Sequence, residues 1–339
     1  MLIFADSCGQ FYATTAQASS GLYKSLGATI HTSGLPAGNV GPSAIVMGPN
    51  AAKITVPNSV GPYYLGFRLV STSAYSSQEI CRYTDPSGNE QVSFWTNANG
   101  TISVYRPNSG GVLLGTSSVA VTLAQNVWDY LECGASIDAS TGTINVRING
   151  VSVLSLAAQN TKGSGSSSLI GQIGIGSNLT PWFQDIYVTD SLGSYNVGFL
   201  GDVHITAFSP TSNGSHTDYT ANGAASLWQG VAAATPTDST VFDSDSNPGD
   251  KLSVNLAPSS VTGAIAAVVL VGRMEKTSAG TRTANLFALN GGVEVDGANI
   301  ALGTSYQYSM QVLEIDPATG VPFVNNGFNT LQAGVATAS

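Results

Sequence analysis

The stretch Ile144-Asn-Val-Arg-Ile148, Asn149-Gly150, Val151-Ser-Val-Leu154 constrains the fold more than any other in the chain. Ile144, Val146 and Ile148 alternate with Asn145 and Arg147, so an extended backbone turns one apolar and one polar face outward. Asn-Gly then supplies two residues that tolerate positive φ, the requirement of a tight hairpin whose twist matches its strands. Gln91-Val-Ser-Phe-Trp-Thr96, Asn97-Ala-Asn99-Gly100 and Thr101-Ile-Ser-Val-Tyr-Arg106 repeat the arrangement. One face of each hairpin is core.

Further strands are expected at Tyr64 to Val70, Trp128 to Ala135, Ile170 to Ile175 and Phe183 to Thr189, each bounded by Gly, Pro, Asn or Ser. The pattern continues through Val203 to Phe208, Ser226 to Val231, Lys251 to Leu256, Ala264 to Met274, Thr283 to Leu289, Val293 to Ile300 and Tyr306 to Ile315. Many short strands between turn clusters predict an all-β protein, and 339 residues suit two β-sandwich domains, residues 1–200 and 201–339. The boundary is expected between Leu192 and Pro210. Charged residues are only 9% of the chain and glycines number 39, a composition of turns, while 42% hydrophobic residues suffice for a core.

Several classes are excluded on this evidence. The longest apolar stretch, Ala264 to Gly272, is about half of the ~18 residues a membrane-spanning helix requires, so no membrane insertion is expected. A net charge of −9 without a cluster of Lys and Arg argues against nucleic acid as a partner. Met1-Leu-Ile-Phe-Ala-Asp6 has no positive n-region and meets an acid early, which predicts no secretory signal. Cys8, Cys81 and Cys133 form an odd, widely spaced set and are expected as free thiols. No Gly-x-Ser-x-Gly elbow is present, and His31, His204 and His216 are expected as polar loop or strand residues. Asp243-Ser-Asp245-Ser-Asn247-Pro-Gly-Asp250 places oxygens at alternate positions, which makes Asp243, Asp245, Asn247 and Asp250 calcium candidates. The run lacks the Gly and closing Glu of an EF-hand, and a solvated turn explains it as well. No other cofactor is implied.

Between Tyr64 and Asp190 a run of pieces in order resembles the concanavalin A-like lectin/glucanase superfamily, especially the laminin-G-like domains of bacteriophage structural proteins. The pieces are Tyr64-Leu-Gly-Phe-Arg68, Asn99-Gly100, Leu113-Leu-Gly-Thr-Ser117, Trp128-Asp-Tyr-Leu-Glu132, Asp138-Ala-Ser-Thr-Gly-Thr143, Val146-Arg-Ile-Asn-Gly150 and Asp185-Ile-Tyr-Val-Thr-Asp190. Gly201-Asp-Val-His-Ile205, Asp243-Ser-Asp245, Asp316-Pro-Ala-Thr-Gly320 and Asn329-Thr-Leu-Gln-Ala-Gly-Val335 also resemble such virion proteins. The first 60 residues contribute little.

The resemblance implies that the first domain is a concanavalin A-like jelly roll and that the chain is a non-enzymatic structural protein of a bacteriophage virion. A head decoration or a tail-associated fibre or adaptor fits, assembled in the host cytoplasm as a repeated subunit among other virion proteins. A homo-oligomer is expected because a chain poor in charge cannot guard its sheet edges with lysine. The apolar strand Ala264 to Val271 and the tail Val321 to Ser339 are candidates for such contacts, the strand being equally explained as core of the second domain. The alternative is an adhesin that binds host cell-surface glycans, with Trp95, Tyr105, Trp182 and Tyr187 as the aromatics that would stack on sugar rings, each being equally explained as a core or cross-strand aromatic. A glucanase is the weakest alternative. Retaining enzymes of the superfamily carry Glu-x-Asp-x-x-Glu or Glu-x-Asp-x-Glu on one strand, and only Glu294-Val-Asp296 and Glu314-Ile-Asp316 approach it, both without the closing Glu. Asp185 and Asp190 lie where this superfamily sometimes places ions.

Overall fold

In a computed structural model the chain is described except at residues 10–11, 13, 40–41, 164, 166, 177–180, 233–237, 239–240, 260, 262, 325–327 and 339, and the side chains of 49–51. Strands hold 48% of the residues and helices 3%, which puts the protein in the all-β class. Two compact units account for it. The first takes residues 1–10, 14–19 and 23–206, and the second takes 11–13, 20–22 and 207–339.

The first unit runs β1 (Leu2–Asp6), α1 (Thr15–Ala18), β2 (Ser25–His31), β3 (Ala44–Ser59), β4 (Tyr63–Val70), β5 (Gln78–Thr84), β6 (Glu90–Thr96), β7 (Ile102–Arg106), β8 (Val112–Thr116), β9 (Asp129–Ser136), β10 (Gly142–Ile148), β11 (Val151–Gln159), β12 (Ile170–Ile175) and β13 (Trp182–Asp190). All pair antiparallel in the order β11-β10-β9-β4-β13-β3-β12-β5-β6-β7-β8, with β1 on β13 and β2 on β3. The long strand β3 joins two leaves, pairing through Ile45 and Val46 with β13 and through residues 52–59 with β12. Tyr83 on β5 donates its hydroxyl to the carbonyl of Cys133 on β9, 2.7 Å away, although four strands separate β5 from β9 in the order. The leaves therefore face each other as a sandwich. Leu65, Phe67, Leu131, Val146 and Ile148 from one leaf and Val92, Phe94, Val104 and Ile173 from the other are wholly buried in the core.

The hairpin expected at Asn149-Gly150 has both residues at positive φ, 50° and 78°. The turn after β6 differs, since only Gly100 is left-handed (φ 74°) and the loop closes through Asn97 and Thr101. The segment Val203 to Phe208, expected as a strand, forms no ladder. Instead the chain from Phe199 to Ile205 crosses the outer face of the first leaf. Phe199 lies edge-on against Tyr64 at 4.8 Å and under the guanidinium of Arg147 at 4.7 Å. The amides of Leu200, Gly201 and Ile205 donate to Tyr187 Oη (2.9 Å), Glu132 Oε1 (2.8 Å) and Asp185 Oδ1 (3.0 Å). Side-chain acceptors thus satisfy amides that a neighbouring strand would otherwise take. Beneath them the Tyr187 ring occupies the space that Gly66 leaves open, because a Cβ there would lie 2.2 Å from the ring.

The second unit contains β14 (Pro210–Thr217), β15 (Thr220–Asn222), α2 (Leu227–Val231), β16 (Phe242–Ser244), β17 (Lys251–Leu256), β18 (Val268–Met274), β19 (Thr283–Asn290), β20 (Val293–Asp296), β21 (Ile300–Ala301), β22 (Gln307–Leu313) and β23 (Gln332–Thr337). Strands β14-β17-β23-β19-β20 form its main sheet, and the β18-β22 ribbon packs Leu270 and Leu313 against Leu286 and Ala288 of that sheet. Ser226 to Val231, expected as a strand, holds the short helix α2, which buries Leu227 against Leu252 and Val254. Parts of the two stretches expected to mediate assembly pack into the core of the second unit, while Val321 and Val324 stand exposed. Leu270 of β18 is buried, Phe323, Phe328 and Leu331 lie in the same cluster, and β23 is hydrogen-bonded on both sides. No helix of the described residues is long and apolar enough to cross a membrane.

Candidate functional site

The outward side chains of β5, β6 and β7 build the site. Val92 and Phe94 point into the core, so Ser93 and Trp95 point away from it, and Ser103 and Tyr105 do the same on β7. Register places Glu79 beside Trp95 and Trp95 beside Ser103, with Arg82 beside Ser93 and Ser93 beside Tyr105 in the next row. Trp95 and Tyr105 are half-buried and meet edge to face, with centroids 6.2 Å apart and planes at 81°. The indole N–H donates to Ser93 Oγ at 2.9 Å, which ties the ring to its own strand. A hydroxyl ladder continues from Asn97 Nδ2 to Ser103 Oγ and on to Thr116 Oγ1, each 2.9 Å.

Beside the ring pair, Arg82 donates through Nε to Glu79 and through Nη1 to Glu90, while Asn108 donates to the second oxygen of Glu90 at 2.8 Å. The three charged side chains keep 21%, 11% and 20% of their surface in solvent, for Arg82, Glu79 and Glu90 respectively. Burial raises the Glu79 carboxyl above the ordinary range, and the hydrogen bond and charge of Arg82 pull it back. This cluster was not foreseen in the sequence. Glu79 and Arg82 are three residues apart, which sets side chains on opposite faces of a regular strand, but the register shifts between Glu79 and Cys81 and brings them to one side. Four charged residues within twelve positions, Glu79, Arg82, Asp85 and Glu90, in a chain only 9% charged, were the available signal.

Only two of the four aromatics expected to meet sugar come together. Trp182 stands on the other leaf, next to Phe183 of the core, and packs on His31 at 4.5 Å. Tyr187 is 1% exposed under the crossing segment with its hydroxyl bonded to Glu132, so the structure removes it from the set. Its outward direction follows the strand alternation. What covers it comes from elsewhere in the chain.

The calcium candidates do not converge either. No group of three or more His, Cys, Asp or Glu placed to hold a metal occurs among the described residues. Asp245 accepts from the Asn247 amide and from Thr337 at 2.9 Å, and Asp250 accepts from Asn247 Nδ2 at 3.0 Å, so the loop is a hydrogen-bonded turn. Asp243 points away into a half-buried position where neither oxygen has a partner among the described residues, and burial pushes its carboxyl up to about 7. Asp185 receives Ile205 N and His204 Nδ1, and Asp190 receives the Leu192 amide.

The carboxylates closest to a glucanase pattern are engaged in the second unit. Glu294 pairs with Lys251 and His216, Asp296 accepts from Asn285 at 3.1 Å, and Asp316 caps its own turn through Ala318 and Thr319 while accepting from Asn290.

No protein-family model and no curated protein matches the chain. Among solved structures it is similar to alginate lyase Aly36B in complex with alginate trisaccharide, at 11% identity and a TM-score of 0.37 over 55% of this chain and 97% of that one. It is also similar to the galectin LEC-6 of Caenorhabditis elegans, at 19% identity and a TM-score of 0.29 over 40% and 89%. A third similarity is to the carbohydrate-binding module CBM66 of Bacillus subtilis, at 11% identity and a TM-score of 0.30 over 48% and 94%.

Proposed function

We propose that the first unit is a glycan-binding module and that sugar rings stack on the Trp95–Tyr105 pair. The partly exposed aromatic corner beside fixed polar groups carries this reading, because a saccharide needs an apolar surface for its C–H face and convergent hydrogen-bonding groups for its hydroxyls. The protein acts as a binder rather than an enzyme. The paired carboxylates of this face both grip Arg82, and those nearest a glucanase pattern are held in the second unit. Affinity electrophoresis of the full chain in polysaccharide gels tests the proposal. Retardation that Trp95→Ala abolishes, with the fold intact by circular dichroism, supports it, and an unretarded wild-type chain defeats it.

A second reading sets this module on a virion, as a repeated subunit bound to other particle proteins or presented to the host surface. Its support is the pair of edge strands β8 and β20, where Val112, Leu113, Val293 and Val295 are exposed between 37% and 51%. An unpaired edge with apolar side chains calls for cover by a neighbouring chain. Sedimentation of the purified chain and immunogold labelling of particles test it. A monomer absent from particles leaves the free glycan binder.

A further inference from the structure

The charge pattern around the aromatic pair narrows the ligand class, an inference that rests on the glycan-binding reading. A uronate or sulfated saccharide is held where a cation is free to meet its anionic group, as a guanidinium meets a carboxylate through two parallel donors. The Arg82 guanidinium is the cation next to Trp95 and Tyr105, and two carboxylates already occupy Nε and Nη1. No other cation is ion-paired or hydrogen-bonded to this cluster among the described residues. Lys53 shares the row of Gly174 and Arg82 but lies three ladder steps from β6, about 14 Å. Arg106 follows Tyr105, alternates to the other side and donates to Asn160 O at 3.2 Å. Lys162 precedes Gly163, whose amide bonds Gln91 at the start of β6, four residues before Trp95. The chain as a whole carries a net charge of −9, so an anionic polymer approaches against repulsion.

What the cluster offers is acceptors. Arg82 and Asn108 hold Glu79 and Glu90 in place, and these partly exposed carboxylates take hydrogen bonds from hydroxyl groups, with the exposed Thr116 completing a polar rim over the buried Ser103. We infer that the Trp95–Tyr105 face selects uncharged saccharides, whose hydroxyls donate to the Arg82-anchored carboxylates, and rejects uronate and sulfated glycans.

The experiment compares the full chain on two polymer sets under the same conditions. A glucan, a galactomannan, an arabinan and a fructan form the uncharged set, and alginate, polygalacturonate and heparin form the acidic one. The inference expects retention by at least one uncharged polymer and by none of the acidic ones. Trp95→Ala abolishes that retention, and Glu90→Gln weakens it by about tenfold, the loss of one charge-assisted hydrogen bond. Retention by an acidic polymer at least as strong as by any uncharged one, abolished by Trp95→Ala, overturns the inference and leaves glycan binding standing. Retention by nothing, or retention indifferent to Trp95→Ala, overturns the glycan-binding reading and this inference with it.

Discussion

Replacing Asp243 with asparagine should stabilise the second unit in a pH-dependent way. The carboxyl lies against α2, with Oδ1 2.3 Å from the position a Cβ of Gly230 would take, and neither of its oxygens has a partner among the described residues. Burial raises its pKa from 3.8 to about 7. For an acid raised in the folded state, the penalty is absent below the unfolded value, grows as the pH climbs from about 4 to 7, and is constant above. A shift of roughly three units corresponds to at most about 4 kcal/mol, and screening of a half-buried group halves this to about 2 kcal/mol. Asp243→Asn, which keeps the shape without the charge, should raise the thermal midpoint of the second unit by roughly 6 °C at pH 8 and leave it unchanged near pH 4. Calorimetric scans of both proteins across that range provide the assay. Equal midpoints at pH 8, or a difference already complete at pH 4, would refute the reasoning.

Two further predictions concern the first unit. The hydrogen bond and charge of Asp185 raise the pKa of His204, so the ion pair fastens the segment from Phe199 to Ile205 fully below the unfolded histidine value near 6.5 and fades as the pH passes the folded value. His204→Ala should therefore speed amide exchange at Leu200 and Ile205 at pH 6, relative to wild type, more than it does at pH 9, and an equal effect at both would contradict this. Cys8, Cys81 and Cys133 are buried free thiols, and desolvation raises the pKa of Cys8 and Cys81 well above the ordinary thiol value. Native protein should resist iodoacetamide at pH 8 and take up three labels once unfolded, whereas a Cys81–Cys133 bridge found by mass spectrometry would overturn the expectation.

Local pattern was enough to place β4, β6, β7, β9, β10, β12 and β13, because each is a short apolar-rich run that ends at a turn residue, β10 with strict alternation and β9, β12 and β13 buried on both faces. It failed where tertiary structure decided. The long strand β3 contains Gly48, Pro49 and Pro57, which read as breakers, yet it changes partners along its length. Leu227-Trp-Gln-Gly-Val231 is too short for a helical period to show. Val203 to Phe208 has the alternation of a strand, but side chains of distant strands take the amides of its crossing segment. The aromatic half of the candidate site was visible in the Trp95 and Tyr105 hairpin. The Arg82 cluster was not, since a register shift alone puts Glu79 and Arg82 on one side.

Glycan binding at the Trp95–Tyr105 face is tested most directly by nuclear magnetic resonance of the four indole N–H groups. A retained saccharide titrated into the labelled full chain should shift the Trp95 signal, whose proton is donated to Ser93, and leave those of Trp128, Trp182 and Trp228 in place. A bound saccharide that moves the Trp182 or Trp228 signal while Trp95 stays still would contradict the account.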